Sequence, residues 1–194
     1  MKKTILAIAA VSVWAGAAMA QQSPWMVRAR AVNLDMANKD GTDLGLSVNH
    51  KTIPEVDITY FFTPNLAAEL VLTVPQKQTV YSNGTSIGTF KHLPPTLLAQ
   101  YHFTNFQGFK PYVGAGFNYT QITSTHLAAA YSLDGHSTGM ALQVGVDFPI
   151  DNHWSLNIDV KKTNIRTRVY DAGVDQGTLK LDPLMVGVGL GYRF

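Results

Sequence analysis

Apolar and other residues alternate along this chain over stretches of roughly 8–12 positions, and such stretches recur eight times with turn residues between them. The first, Trp25 to Val32, sets Trp25, Val27, Ala29 and Ala31 against Met26, Arg28 and Arg30. The second, Ile53 to Thr63, sets Val56, Ile58, Tyr60 and Phe62 against Glu55, Asp57, Thr59 and Phe61. In the third, Asn65 to Val74, Leu66, Ala68, Leu70 and Leu72 oppose Ala67, Glu69, Val71 and Thr73. Leu97, Ala99, Tyr101 and Phe103 oppose Thr96, Leu98, Gln100 and His102 in the fourth. The fifth places Val113, Ala115, Phe117 and Tyr119 against Tyr112, Gly114, Gly116 and Asn118. Met140, Leu142, Val144, Val146 and Phe148 then face away from Ala141, Gln143, Gly145 and Asp147. Trp154, Leu156, Ile158 and Val160 do the same against Ser155, Asn157, Asp159 and Lys161, and Val186, Val188, Leu190 and Tyr192 against Met185, Gly187, Gly189, Gly191 and Arg193.

One face of each run is almost purely apolar and the other is mixed. A soluble sandwich and a membrane barrel both show period two, so alternation alone does not choose between them. Connection length does. The links Thr63–Asn65, roughly 104–109 and Asp151–His153 are short, while 33–52, 75–91, 121–137 and 171–177 are longer. Short and long links in strict alternation are the pattern of an outer-membrane barrel, with tight periplasmic turns and larger external loops. Trp25, Phe62, Phe103, Phe148, Trp154 and Phe194 all fall on the apolar face beside a short turn or a terminus, as an interfacial aromatic girdle requires. The chain closes on Tyr192-Arg193-Phe194, a strand end of the kind that bacterial barrel-assembly machinery recognises. These features predict an all-β protein, an eight-stranded antiparallel transmembrane β-barrel of the bacterial outer membrane.

Composition adds two constraints. Lys2 and Lys3, the apolar stretch Ile5 to Val13 and the small-x-small site Ala18-Met19-Ala20 read as a cleaved signal peptide over residues 1–20, leaving 21–194 as one barrel domain. Its removal takes away two lysines and no acid, so the formal charge falls from +2 to zero. A neutral mature chain argues against nucleic acid as a partner. The chain has no cysteine, so a secreted fold must hold without disulfides, which a closed barrel does.

Eight strands enclose a lumen that side chains nearly fill, which excludes a wide aqueous pore. Arg28, Arg30, Asp57, Glu69, Asp147 and Asp159 point inward, and buried charges of opposite sign must pair, so an ionic plug is expected in the periplasmic half. Phe61, Val71, Leu98, Tyr112 and Met185 are candidates for an apolar lumen pocket nearer the outside, with ordinary lumen packing as the plain alternative. Pro54, Pro94 and Pro95 fall near the external strand ends. Proline deletes a ladder bond, so these positions mark a candidate lateral opening in the wall, or simply strands that begin after them. Lys162, Arg166, Arg168 and Lys180 continue the outward parity above the apolar band, where they would meet lipopolysaccharide phosphates or line a solvated hairpin. His153-x-Ser155 has the spacing of a lipid A deacylase pair, but it sits beside a periplasmic turn, away from the outer leaflet. No enzyme, cofactor or metal site is expected.

Three segments carry a family resemblance: His92-Leu93-Pro94-Pro95-Thr96-Leu97, Lys110-Pro111-Tyr112-Val113-Gly114-Ala115-Gly116-Phe117-Asn118-Tyr119, and Leu181-Asp182-Pro183 leading to Gly191-Tyr192-Arg193-Phe194. Together with Gln143-Val144-Gly145-Val146-Asp147 they resemble the OmpW family. The resemblance implies a barrel with a narrow, partly hydrophobic interior that passes small hydrophobic molecules across the outer membrane and releases them sideways through the wall. It also leaves open a structural or receptor barrel whose external loops bind a bacteriocin, a phage or a host surface.

Overall fold

The computed structural model describes residues 23–128 and 131–194; the expected export signal lies outside the described residues. In chain order the strands are β1 (Trp25–Asp35), β2 (Lys39–Gly41), β3 (Leu46–Val48), β4 (Lys51–Phe61), β5 (Leu66–Thr73), β6 (Gln76–Ser82), β7 (Thr85–Leu93) and β8 (Thr96–His102). They continue as β9 (Lys110–Leu127), β10 (Tyr131–Leu133), β11 (His136–Pro149), β12 (Trp154–Thr163), β13 (Arg166–Asp171), β14 (Val174–Lys180) and β15 (Leu184–Arg193). Eight of them, β1, β4, β5, β8, β9, β11, β12 and β15, pair antiparallel in a closed ring; β1 meets β15 and β9 meets β11, so the barrel has no free edge.

The lipid-facing positions are those the alternation assigns. Val56, Leu70, Leu97, Val113, Val144, Ile158 and Val188 are exposed apolar residues on the outer wall. At the short-turn end their band closes with edge-to-face ring pairs, Trp25–Tyr60 at 4.8 Å, Tyr101–Phe103 at 5.0 Å and Trp154–Tyr192 at 4.9 Å. These amphipathic rings define the periplasmic interface.

The long external connections are not loops. Residues 75–93 form the hairpin β6–β7, which pairs with β3 and with the upper part of β9. β10, β13, β14 and β2 make a second small sheet. The reason lies in a reversal of parity. Along β1 the inward residues run Arg28, Arg30, Val32, Leu34 while the outward ones run Ala29, Ala31, Asn33, Asp35. β4 does the same, with Asp57 and Glu55 giving way inward to Ile53. Within the membrane, lipid takes the apolar side. Above it, water takes the polar side, and the apolar side turns in to form a core of Val32, Leu34, Met36, Leu46, Val48, Ile53, Val80, Phe90, Ile122, Ile165, Val169, Leu179, Leu181 and Met185.

Candidate functional site

Three layers fill the lumen. At the periplasmic end, His102 stacks on Tyr112 and packs tilted against Phe61, each pair with ring centroids 4.8 Å apart, and the Arg193 guanidinium lies 4.0 Å over Phe61. A vestibule of about 620 Å³ opens below them, lined in part by Met26, Lys110, Asp151 and Trp154.

The second layer is ionic. Arg28 donates to both carboxylate oxygens of Asp147, from Nε at 3.2 Å and from Nη2 at 2.8 Å, and to Thr59 Oγ1 at 2.9 Å. Arg30 donates to Glu69 at 2.8 Å and to Asp57. Lys161 donates to Glu55 and Asp159, each at 2.7 Å. Gln143 Nε2 joins Glu69 and Asp159 at 2.8 and 2.7 Å, and the Tyr112 hydroxyl donates to Asp159 at 3.2 Å. All six residues of the expected plug lie in this network. Glu55, Lys161, Gln143 and Asn157 belong to it too; their inward parity marks them, although sequence reasoning did not select them. Deleting one member of such a buried set leaves an uncompensated charge and costs about 3–5 kcal/mol.

Two glycines make the room. A Cβ on Gly145 would overlap the Tyr112 ring, and one on Gly189 would overlap the Arg30 backbone and stem.

The third layer is the external apolar core, and it corrects the expected pocket. Of the five candidates only Met185 belongs to that core. Phe61 packs with Met26 and Ala67 at the periplasmic end, Tyr112 stacks on His102 there with its hydroxyl reaching into the ionic layer, and Val71 and Leu98 pack with Ala141 at mid-height. Parity gives a residue's side of the wall but not its height. Between the apolar and ionic layers lies a cavity of about 20 Å³, lined by Val71, Pro94, Thr96, Asn118, Lys161 and Met185 among others. That is room for about one water molecule.

At this height the wall changes. The β4–β5 ladder stops at Glu55–Thr73, beside Pro54, whose carbonyl accepts the Thr73 hydroxyl at 2.9 Å. Pro54 itself stays within the continuous β1–β4 register, opposite Ala31. The β5–β8 ladder stops at Val71–Thr96 and the β8–β9 ladder at Thr96–Asn118, while β7–β9 pairing resumes only at Leu93–Gln121. Pro94 and Pro95 occupy the interruption. One backbone bond, from the Tyr119 amide to the Pro95 carbonyl at 3.1 Å, and one side chain bridge it: Asn118 Nδ2 donates to the carbonyls of Pro94 at 3.2 Å and Pro95 at 3.1 Å and to Thr96 Oγ1 at 2.9 Å, while Asn118 Oδ1 accepts from Thr120 Oγ1 at 2.6 Å. Sequence reasoning missed Asn118. Its signal was an amide on the inward face opposite two prolines. On the lipid side a groove of about 410 Å³ lies against the same segment, lined by Leu70, Pro95, Leu97, Phe117 and Tyr119, with Thr96 and Asn118 lining both it and the inner cavity.

Three of the four outward cations already have partners. Lys162 donates to the Asp182 carbonyl, Arg166 lies 3.5 Å from the Asp182 carboxylate and Arg168 lies 3.6 Å from Asp175. Lys180 stands in register between Lys39 and Arg166. His153 stacks on Tyr192 beside the periplasmic turn, and Ser155 is buried.

A closed eight-stranded barrel with a lipid-facing apolar wall, an aromatic girdle and a charged lumen defines a bacterial outer-membrane protein. The chain belongs to the OmpW family, whose profile matches residues 16–194. It is 42% identical over 187 residues to an uncharacterized outer-membrane protein, y4mB, of Sinorhizobium fredii, covering 89% of this chain and 80% of that one. It is 34% identical to outer membrane protein W of Escherichia coli over the whole of both chains. Among solved structures it resembles the outer membrane protein OprG of Pseudomonas aeruginosa, with a TM-score of 0.77 and 25% identity, over 89% of this chain and 97% of that one.

Proposed function

We propose that this barrel passes small hydrophobic molecules from the cell exterior into the outer membrane, through the external apolar layer and out sideways at Pro94-Pro95. The carrying observation is the division of the lumen. An apolar molecule entering from outside meets a floor of buried ion pairs, which it cannot displace without stranding charge. The wall beside that floor is the place where three ladders end together. Its inner cavity and outer groove are separated by little more than Thr96, Asn118 and the two prolines. Exit there needs a few hydrogen bonds to break, each worth about 1 kcal/mol net, whereas axial passage breaks the whole plug. A relative in Pseudomonas aeruginosa, 26% identical over 215 residues, is named for a dibenzothiophene metabolism operon, which is consistent with an apolar cargo.

Uptake of an apolar solute into proteoliposomes tests the reading. Pro94→Ala with Pro95→Ala restores ladder donors and is expected to reduce uptake, while undiminished uptake by a folded variant contradicts it. The folded external strands are also the surface that a receptor role would use; a barrel that binds its partner but moves no apolar solute fits that alternative.

A further inference from the structure

Outside the barrel, just above the interrupted wall, lies a concavity of about 420 Å³ lined by Lys77, Thr89, Lys91, Ser124 and His126, with no acidic residue in its lining. Lys77 and Lys91 stand directly opposite one another in the β6–β7 ladder. Like charges at such a position repel and weaken the hairpin. Among the described residues neither lysine has an acidic partner, in contrast to Arg166 and Arg168 on the far side. Ser124 takes a left-handed conformation (φ 49°), and its carbonyl is 2.7 Å from Nδ1 of His126, which fixes the third basic side chain at the rim.

Height selects the ligand. Lys91, Pro95, Leu97, Tyr101 and Phe103 share one outward parity, from the periplasmic girdle upward. From Phe103 to Lys91 is about 40 Å along the strand at ~3.3 Å per residue. With a tilt near 40° this is roughly 30 Å of height, against an apolar band of about 25 Å. The lysine pair therefore stands in the headgroup layer of the outer leaflet. Directly below it on the same face is the apolar groove of Leu70, Leu97 and Phe117, the last of them 74% exposed.

We infer that Lys77, Lys91 and His126 form a binding site for the phosphorylated sugar headgroup of an outer-leaflet glycolipid, one of whose acyl chains lies in the Leu70–Leu97–Phe117 groove. A phosphate between the lysines removes their repulsion and accepts charge-assisted hydrogen bonds from both. The concavity is of a size that takes a sugar phosphate rather than a bare ion. The seated chain would cover the outer side of Pro95, so this lipid is the first thing that a molecule leaving the wall would meet.

The test uses the full mature chain in nanodiscs, with retention of bis-phosphorylated lipid A and of its dephosphorylated form read by native mass spectrometry. The wild type should retain the phosphorylated lipid about tenfold better. Lys77→Ala with Lys91→Ala should abolish that preference, and Lys77→Arg with Lys91→Arg should restore it. Heat-modified electrophoretic mobility confirms that each variant is folded. Inorganic phosphate should fail to compete. Equal retention of the two lipids by the wild type, a preference that survives the double alanine variant, or full displacement by inorganic phosphate would each overturn the assignment.

Discussion

Asn118 Nδ2 donates to the carbonyl of Pro95 at 3.1 Å across an interrupted stretch of wall, and with the Tyr119 amide, also at 3.1 Å, it supplies the cross-strand bonds to that proline's carbonyl. A side chain thus shares with a single backbone amide, at this point, what backbone alone does elsewhere in the barrel. Side-chain bonds can break by a rotamer change, whereas ladder bonds break only with strand separation.

Asn118→Ala should therefore loosen the wall without unfolding the barrel. The carbonyls of Pro94 and Pro95 each lose one donor and keep another, Thr96 Oγ1 at 3.2 Å and the Tyr119 amide at 3.1 Å, so each lost bond costs about 1 kcal/mol. Hydrogen exchange at the Leu97 and Tyr119 amides should accelerate about tenfold, while exchange on β12 and β15 stays unchanged. Equal exchange in variant and wild type would show that the amide does not hold the wall.

The plug should behave as a unit. Asp147→Asn leaves Arg28 without its bidentate partner and should lower unfolding stability in detergent by about 3–5 kcal/mol. Gly145→Ala acts on the same layer through space: the added methyl displaces the Tyr112 ring and with it the bonds to Asp159 and Asn157. The two together should cost less than their sum, because they dismantle one network.

Acid should loosen the external dome at a defined point. Burial raises the Asp40 carboxyl, but hydrogen bonds from the Thr42 hydroxyl and amide and from the Leu46 amide outweigh it and hold the group below the usual carboxylate range. A carboxyl lowered by folding stabilises above its unfolded value, near 4, and that stability is lost as pH falls through the lower folded value. Leu46 amide exchange, corrected for its intrinsic pH dependence, should lose protection below about pH 4. Asp40→Asn should lower protection at neutral pH and remove the transition.

The eight membrane strands were legible because lipid imposes an uninterrupted demand: every second residue of Leu66–Leu72 or Leu184–Leu190 must be apolar. The strands above the membrane were not, because the demand reverses there. Ile122, Ile165 and Val169 are spaced like sparse residues in polar loops, and only the packed dome shows them sharing a core. The inward charges were legible from parity, and their pairing followed from the cost of leaving them alone. Phe61 and Tyr112 were misplaced in height, although each stands next to a short periplasmic connection that could have located it. Asn118 was invisible as a latch because its role depends on which strand lies opposite.

Lateral exit is tested most directly by sewing the wall shut. Thr96 and Asn118 are register partners, and the neighbouring Pro95–Tyr119 pair carries the backbone bond, so their Cα atoms fall at the close spacing of about 4.5 Å, within reach of a disulfide. The chain has no cysteine of its own, so Thr96→Cys with Asn118→Cys introduces the only thiols. Uptake of an apolar solute into proteoliposomes should fall about tenfold or more when that pair is oxidised and return when it is reduced. Equal uptake in the two states would mean that cargo does not leave through this seam.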